Sequence, residues 1–265
     1  MRDRPSPSEH EIRETTPESV FEEISADNPN AIRAYLQFEI DNGFTTLDPR
    51  TTLDGQVAFR GQQLRSGKLR VIAAREGNEL TATSVVVLEN GTMGKDISPN
   101  EAYAAGTLVR PDKRSGGIGE RAAAEQDRIA REAGKTALRT VIAKNNAPSA
   151  RLRMKVGYRL EGIEERPATQ ERPSEVNYAY RKDLTQEVEA RQWKNNVLAG
   201  NLHRVDAVGE DSPPELMIDS QNTEAVKQAL ALEYRGVALL RPEDFDDPRP
   251  LDRNAIVFVR ETSSS

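Results

Sequence analysis

The stretch "RPDKRSGGIGERAAAEQDRIAREAG", residues 110–134, sets three glycines within four positions and runs straight into alanines, glutamates and arginines. Glycine in a helix interior costs about 1 kcal/mol relative to alanine, so the cluster needs a reason. A helix N-terminus presents unpaired N–H groups and partial positive charge, and glycines let an anion such as a phosphate reach the backbone. An ordinary turn ahead of a surface helix is the competing reading. The flanking sequence bears on the choice: "GTLV" before the glycines reads as a strand, and the helix after them lines Ile118, Ala122, Ile129 and Ala133 along one side. That is the context a phosphate cradle requires. No Lys-Ser or Lys-Thr follows the last glycine, so the loop is not a Walker A motif. Its G-G-x-G spacing, after antiparallel-looking strands, also fits a dinucleotide fingerprint poorly.

Working outward, "NPNAIRAYLQFEIDNG" spaces Ile32, Tyr35, Leu36 and Ile40 for one helical face, and Asn42-Gly43 ends it. Ahead of it, "EIRETTPESVFEEI" predicts a short strand and then a helix starting at Thr16-Pro17, with Glu18 and Glu22 in its opening turns. A further helical piece is expected around Leu53 to Leu64. Three β-rich runs follow, "LRVIAARE", "LTATSVVVLE" and "EAYAAGTLV". Beyond the glycine helix come a strand "TALRTVIA", a short helix "APSARLRMKVG" and strands "YRLEGIE" and "VNYAYRK", the last placing Val176, Tyr178 and Tyr180 on one face. This order reads as an α+β domain built on a mixed sheet.

After Leu184 the character changes. Residues 186–195 read as a polar helical linker with Trp193 as its one large apolar anchor, and residues 196–262 as a small α/β module. The module's expected elements are a strand "LHRVDAV", a strand "LMID", a helix "NTEAVKQALALEY" capped by Asn222 or Thr223 and stopped near Gly236, and strands "GVALL" and "AIVFV". Met217, Ile218, Val226, Leu230, Val237, Leu239, Ile256 and Phe258 can supply its core. The module is expected to fold separately; at roughly 70 residues it lies near the lower limit for independent stability, so docking on the neighbouring sheet is a further reading. Residues 1–10 and the closing "ETSSS" read as disordered tails.

Composition excludes several chemistries. The net charge of -6 argues against nonspecific nucleic-acid binding, which needs a basic stripe. The absence of cysteine removes thiol nucleophiles, disulfides and thiolate metal sites. The only histidines are His10 and His203; Glu14 and Asp206 lie within a helical turn of them, but neither has a second histidine nearby, so no triad or metal site is expected. No apolar run approaches the ~20 residues of a membrane span. The charged, proline-bearing start is unlike a signal peptide, and a cytoplasmic location is the default expectation.

The glycine loop resembles the acyl-CoA motif of the Gcn5-related N-acetyltransferase (GNAT) family, V-x-P-x-x-R-G-x-G-I-G between a strand and a helix. Val109, Pro111, Arg114, Gly117, Ile118 and Gly119 stand in those places, with Ser115 where a glycine is common. Further on, "NAPSARLRMKVGY" is similar to the family's second motif, with Asn146, Ser149, Arg151, Lys155, Gly157 and Tyr158 matching. The resemblance runs from about Glu11 to Leu184, with residues 11–185 as the acetyltransferase-like domain. It implies a mixed, mostly antiparallel sheet flanked by helices, and an N-acetyltransferase that uses acetyl-CoA as co-substrate. It also implies that the pyrophosphate lies on the N–H groups of Ser115, Gly116, Gly117, Ile118, Gly119 and Glu120, with Arg114 adding a charge-assisted contact. The pantetheine arm is expected to bond the backbone of Thr107, Leu108 and Val109 like an added strand. Asn146 and Ser149 are expected on the arm or the pyrophosphate, with helix capping around Pro148 as the other reading. Arg151 and Lys155 also read as a solvated helix face.

Two departures affect the chemistry. Relatives place a tyrosine seven residues after the motif asparagine as proton donor, and here that position is Arg153. Some keep a glutamate five residues before the asparagine as base, and here it is Val141. The catalytic acid and base are therefore unassigned; Glu39, Glu101 and Tyr103 are weighed, each more in keeping with a surface charge or a core ring. The backbone N–H near Val109 is expected to polarise the thioester carbonyl. The acceptor is expected to be an amine, drawn if cationic by Glu22, Glu23, Glu39, Asp41, Glu164, Glu165, Glu171 and Glu175. The other readings are a degenerate acyl-CoA-binding sensor, and an interaction protein whose residues 196–262 recognise a partner; a homodimer is left open.

Overall fold

The computed structural model describes residues 19–44, 51–168, 173–185, 193–246 and 251–260. Its first element is a strand, β1 (Val20–Glu23), followed by α1 (Pro29–Asp41), α2 (Leu53–Arg65), β2 (Leu69–Glu76), β3 (Glu79–Val87) and β4 (Glu101–Val109). Then come α3 (Ile118–Glu132), β5 (Ala137–Ala143), α4 (Ala147–Lys155), β6 (Arg159–Arg166) and β7 (Glu175–Asp183). The remaining elements are α5 (Trp193–Leu198), β8 (Glu215–Asp219), α6 (Thr223–Ala231), β9 (Tyr234–Leu240) and β10 (Ala255–Arg260). All ten strands belong to one sheet in the order β1-β2-β3-β4-β5-β7-β6-β9-β10-β8. Every strand-to-strand pairing is antiparallel except β4 with β5. This is the mixed, mostly antiparallel α+β architecture expected.

The first four helices pack chiefly into two apolar clusters. Ile32, Tyr35 and Leu36 of α1 and Val57 and Leu64 of α2 pack with Val71, Val85 and Val87 of the sheet. Ile129 and Ala130 of α3 and Met154 of α4 pack with Val86, Leu138, Leu160, Tyr178 and Tyr180. Local signals explain the helix starts: Asn28 caps α1, Thr52 caps α2, and Asn222, not Thr223, caps α6. Ala133 does not join the buried side of α3; it caps the C-terminal end, exposed, and Ala123 and Ala130 are buried in its stead.

Three elements depart from expectation. Val20–Glu23 is strand, not helix, because Val20 and Phe21 suit a pleated edge and its acids meet arginines there. β1 pairs with β2, Arg75 Nε lies 2.5 Å from Glu22 Oε1, and Glu23 meets both Arg70 and Arg128. The predicted start at Thr16-Pro17 lies outside the described residues. The run 202–208 makes only a bridge between Arg204 and Met217, since Asp206 turns its carbonyl to Asn222 at the start of α6. Gly236 does not stop a helix: α6 ends at Ala231, Glu233 takes the left-handed turn at φ 63°, and Gly236 lies within β9.

The C-terminal strands extend the same sheet through Leu160 of β6 opposite Gly236 of β9. Leu216, Ile218, Val226, Leu239, Ile256 and Phe258 share one buried cluster with Leu160, Tyr178 and Tyr180. The Tyr178 hydroxyl donates to the Ser220 carbonyl at 2.8 Å, and Arg151 of α4 lies 2.6 Å from Asp244, tying the two parts further. Among the described residues, no helix is long and apolar enough to cross a membrane, and no cluster of His, Asp and Glu could hold a metal ion.

Candidate active site

β4 and β5 pair only over Glu101–Tyr103 with Ala137–Arg139. Beyond that point β4 stays with β3 as far as Val109, and β5 stays with β7 as far as Ala143, so the two central strands part into a wedge. A bulge accompanies the parting: Gly106 and Thr107 together face Ser84, with Gly106 at φ 56°. Thr107, Leu108 and Val109 occupy the parted end of β4. In the wedge, the Tyr103 hydroxyl accepts from the Val141 N–H at 3.1 Å, satisfying a backbone donor that the lost pairing leaves free.

The glycine loop caps the open end. Ile118 is buried with Ala74 and Ala82, which fixes the first turn of α3 against the sheet. The helix cap is Gly117, at φ 77°, with no side-chain cap. Among the described residues, none of the N–H groups from Ser115 to Glu120 has a hydrogen-bond partner. Six adjacent donors at a helix N-terminus, with nothing within 4 Å of a Cβ built on Gly117, form a cradle of the kind that takes a phosphate. Gly119 has a second role: a Cβ there would lie 3.1 Å from Leu152 Cδ2, so glycine lets α3 and α4 approach. Arg114 is exposed, and its Nε donates to the Val109 carbonyl at 3.2 Å, which holds the guanidinium between loop and strand end.

Ser115, where relatives favour glycine, sits at φ 69° in the left-handed region. That conformation costs an ordinary residue roughly 1–2 kcal/mol. Ser115→Gly removes this cost but gives the unfolded chain more freedom. The net expectation is a gain of a few tenths of a kcal/mol up to about 1, read by denaturant unfolding. A loss of stability would show that the serine side chain holds the loop.

On α4, the Asn146 side-chain oxygen accepts from Ser149 N–H at 3.3 Å, so it caps the helix as one reading anticipated. Arg151 and Lys155 are not simply solvated: Arg151 pairs with Asp244 at 2.6 Å and Lys155 with Glu120 at 2.5 Å. Arg153 is 3% exposed. It donates to Gln126 Oε1 at 2.7 Å, to Thr107 Oγ1 at 2.9 Å and to the Tyr158 hydroxyl at 3.5 Å. Gln126 in turn donates to Ser84 Oγ at 2.6 Å and to the Val85 carbonyl at 3.0 Å, beside the bulge. Burial pushes the Tyr158 phenol up to about 12, with the nearby arginine opposing the shift. Sequence reading marked Arg153 only as a departure and did not single out Gln126. The available signal was a polar residue on the apolar stripe of α3, one turn after Ala122.

The weighed bases separate clearly. Glu101 lies where β4 and β5 are still paired and accepts from Arg181 at 3.0 Å, with Arg139 close by, so it is a structural ion pair. The Tyr103 hydroxyl serves the Val141 backbone. Glu39 is buried on α1, and the turn following it places Phe44 3.5 Å from a Cβ built on Gly106. Burial raises its carboxyl above the ordinary range, against the hydrogen bond from Tyr35 and the Arg60 charge, which lower it. The folded chain thus holds this proton more tightly than the unfolded chain. Its stabilising contribution is complete below the ordinary carboxylate pKa and is lost as pH rises through the raised one. Glu39→Gln should therefore gain on the wild type in Tm as pH rises from acid to neutral. A difference that stays constant with pH would refute the raised pKa.

No family model matches the sequence, and no curated protein matches it. Solved structures do match in fold. YncA from Salmonella typhimurium, assigned as an acetyltransferase and solved with its cofactor acetyl-CoA, is 14% identical with TM-score 0.50, over 66% of this chain and 99% of that one. A GNAT-family acetyltransferase from Streptococcus pneumoniae is 18% identical with TM-score 0.50, over 63% and 99%. An N-acetyltransferase from Staphylococcus aureus is 17% identical with TM-score 0.50, again over 63% and 99%. The chain has the GNAT acetyltransferase fold, and about a third of its length lies outside the part shared with these structures.

Proposed function

We propose that the protein is an acyl-CoA-dependent N-acyltransferase, moving an acetyl group from acetyl-CoA to a primary amine by direct attack in a ternary complex. The observation that carries this reading is the run of unpartnered N–H groups from Ser115 to Glu120 at the mouth of the β4–β5 wedge. The cradle and Arg114 hold the pyrophosphate by charge and hydrogen bonding. The backbone of Thr107, Leu108 and Val109 takes the pantetheine arm along the parted strand, with Asn146 and Ser149 beside it. Acetyl-CoA supplies the activated acyl carbon when bound.

The chain's own part is mostly positioning, which can contribute several kcal/mol by replacing a bimolecular encounter. The backbone N–H near Val109 polarises the thioester carbonyl. The acceptor must attack as a neutral amine, because an ammonium has no lone pair. Positive charge elsewhere on the acceptor is part of the proposal, though Glu22 and Glu23 are spent on arginines at the far β1 edge and Glu165 meets Lys227 at 2.6 Å. Glu171 lies outside the described residues. Glu39 is buried, with its carboxyl raised by burial, so Asp41, Glu164 and Glu175 are left as the acids to attract such an acceptor. The C-terminal segment, residues 196–262, is assigned recognition or dimerisation, not chemistry.

The deciding experiment follows free-thiol release from acetyl-CoA across a panel of amines. Release that depends on one amine supports transfer, and salt sensitivity of that turnover supports a cationic acceptor. Tight acetyl-CoA binding without release from any amine supports the second reading, a binding module without turnover. That reading is favoured by one observation, that Arg153 and Val141 stand where proton carriers are usual.

A further inference from the structure

Arg153 is a buried guanidinium with only neutral partners. Among the described residues its contacts are Gln126 Oε1, Thr107 Oγ1, the Tyr158 hydroxyl and the Tyr158 ring, whose centroid lies 5.1 Å from its central carbon. Asp127 of α3, whose charge acts on Tyr158, is already held by Lys182 of β7 at 2.5 Å. Removing a charge from water without a counter-charge is costly, so a chain that keeps one buried here carries a standing penalty.

The position of this charge is specific. The cradle at Ser115–Glu120 follows the parted end of β4 in the chain, so on the acyl-CoA reading an arm anchored at the cradle passes back along the strand and brings its thioester, held at the N–H near Val109, beside the bulge at Thr107. The charged side chain bonded to Thr107 is Arg153. Resting on the acyl-CoA reading above, we propose that Arg153 is the electrostatic partner of the leaving sulfur, a fixed cation that lets CoA depart as the thiolate without a proton donor. In the transfer, the amine nitrogen forms its bond to the acyl carbon while the carbon–sulfur bond breaks and its electron pair goes to sulfur. The amine proton passes to water. A guanidinium stays protonated at any working pH, so its role is charge, not acid. This accounts for the missing tyrosine: Arg153 supplies by permanent charge what a phenol supplies by proton transfer.

The test reads the thiol itself and needs no acceptor. With no cysteine in the chain, ultraviolet thiolate absorbance in a complex with free CoA belongs to the ligand, and desulfo-CoA gives the baseline for tyrosine ionisation. An opposite charge within hydrogen-bonding range lowers a pKa by about 1–3 units. The bound CoA thiol should therefore titrate at least about one unit below free CoA, equivalent to tenfold more thiolate at a given pH. Arg153→Lys should keep most of the shift, and Arg153→Gln should abolish it while desulfo-CoA still binds. A thiol pKa in the wild-type complex at or above that of free CoA overturns the proposal, whether or not the variants fold. A shift that survives Arg153→Gln overturns it too. Failure of the wild type to bind CoA or desulfo-CoA at all would instead overturn the acyl-CoA reading on which it rests.

Discussion

Gly117→Glu should abolish the rise in melting temperature that acetyl-CoA produces in the wild type. A ligand that binds only the folded chain stabilises it by mass action, by about 2.7 kcal/mol at one hundred times its dissociation constant. Gly117 caps α3 at φ 77°, with open space where a side chain would project. A glutamate there places a negative charge and several atoms among the free N–H groups that the phosphates need. The left-handed backbone also strains any substituted residue by roughly 1–2 kcal/mol, so the unliganded variant will melt lower. The quantity to read is therefore the ligand-induced increment, not the absolute temperature. Gly117→Ala separates the two effects: it carries the same backbone cost without the charge, and should keep part of the increment. An undiminished increment in Gly117→Glu would mean that acetyl-CoA is not held at this loop.

The second large effect belongs to the fold. At Gly236, a Cβ would lie 2.9 Å from Leu160 Cβ and 3.0 Å from Ile256 Cγ2. Neither neighbour is the tip of a flexible side chain, so the strands themselves must give way. Leu160 opposite Gly236 is also where β6 joins β9 and the sheet passes into its C-terminal strands. Gly236→Val should destabilise the chain by about 3 kcal/mol or more, the upper range for overpacking a tight core. At 2–4 °C per kcal/mol for a chain of this size, a fall in Tm of roughly 6–12 °C is expected in calorimetry. Gly236→Ala should cost less but remain clearly measurable. A valine variant as stable as the wild type would show that the two parts of the sheet do not meet as described.

Much of the architecture was legible because its signals are local. The run from Leu69 to Glu76 is a β-rich apolar stretch that ends at Gly77, the Asn28 and Thr52 caps stand directly ahead of their helices, and the glycine cluster sits between a strand and an amphipathic helix. Each is a property of a few neighbouring residues acting through backbone sterics, capping and periodicity. The candidate site was legible to the same extent. The cradle is a contiguous segment, and Thr107–Val109 and Asn146–Ser149 lie in stretches whose spacing resembles known motifs.

What the sequence by itself determined is thus the order of elements, the glycine loop at a helix N-terminus, and the chemistries ruled out by the absence of cysteine and the scarcity of histidine. The tertiary structure alone decided the rest. Val20–Glu23 became strand because the edge of β2 offered a partner and Arg75 and Arg70 offered charges, against the helical signal of its own acids. Gly236, which read as a helix stop, became the close contact between β6 and β9. Arg153 became a buried cation because Gln126 and Thr107, 27 and 46 residues earlier, converge on it at the bulge. In each case the deciding energy is a contact or a loss of water between residues far apart in the chain, and no window of local sequence contains it.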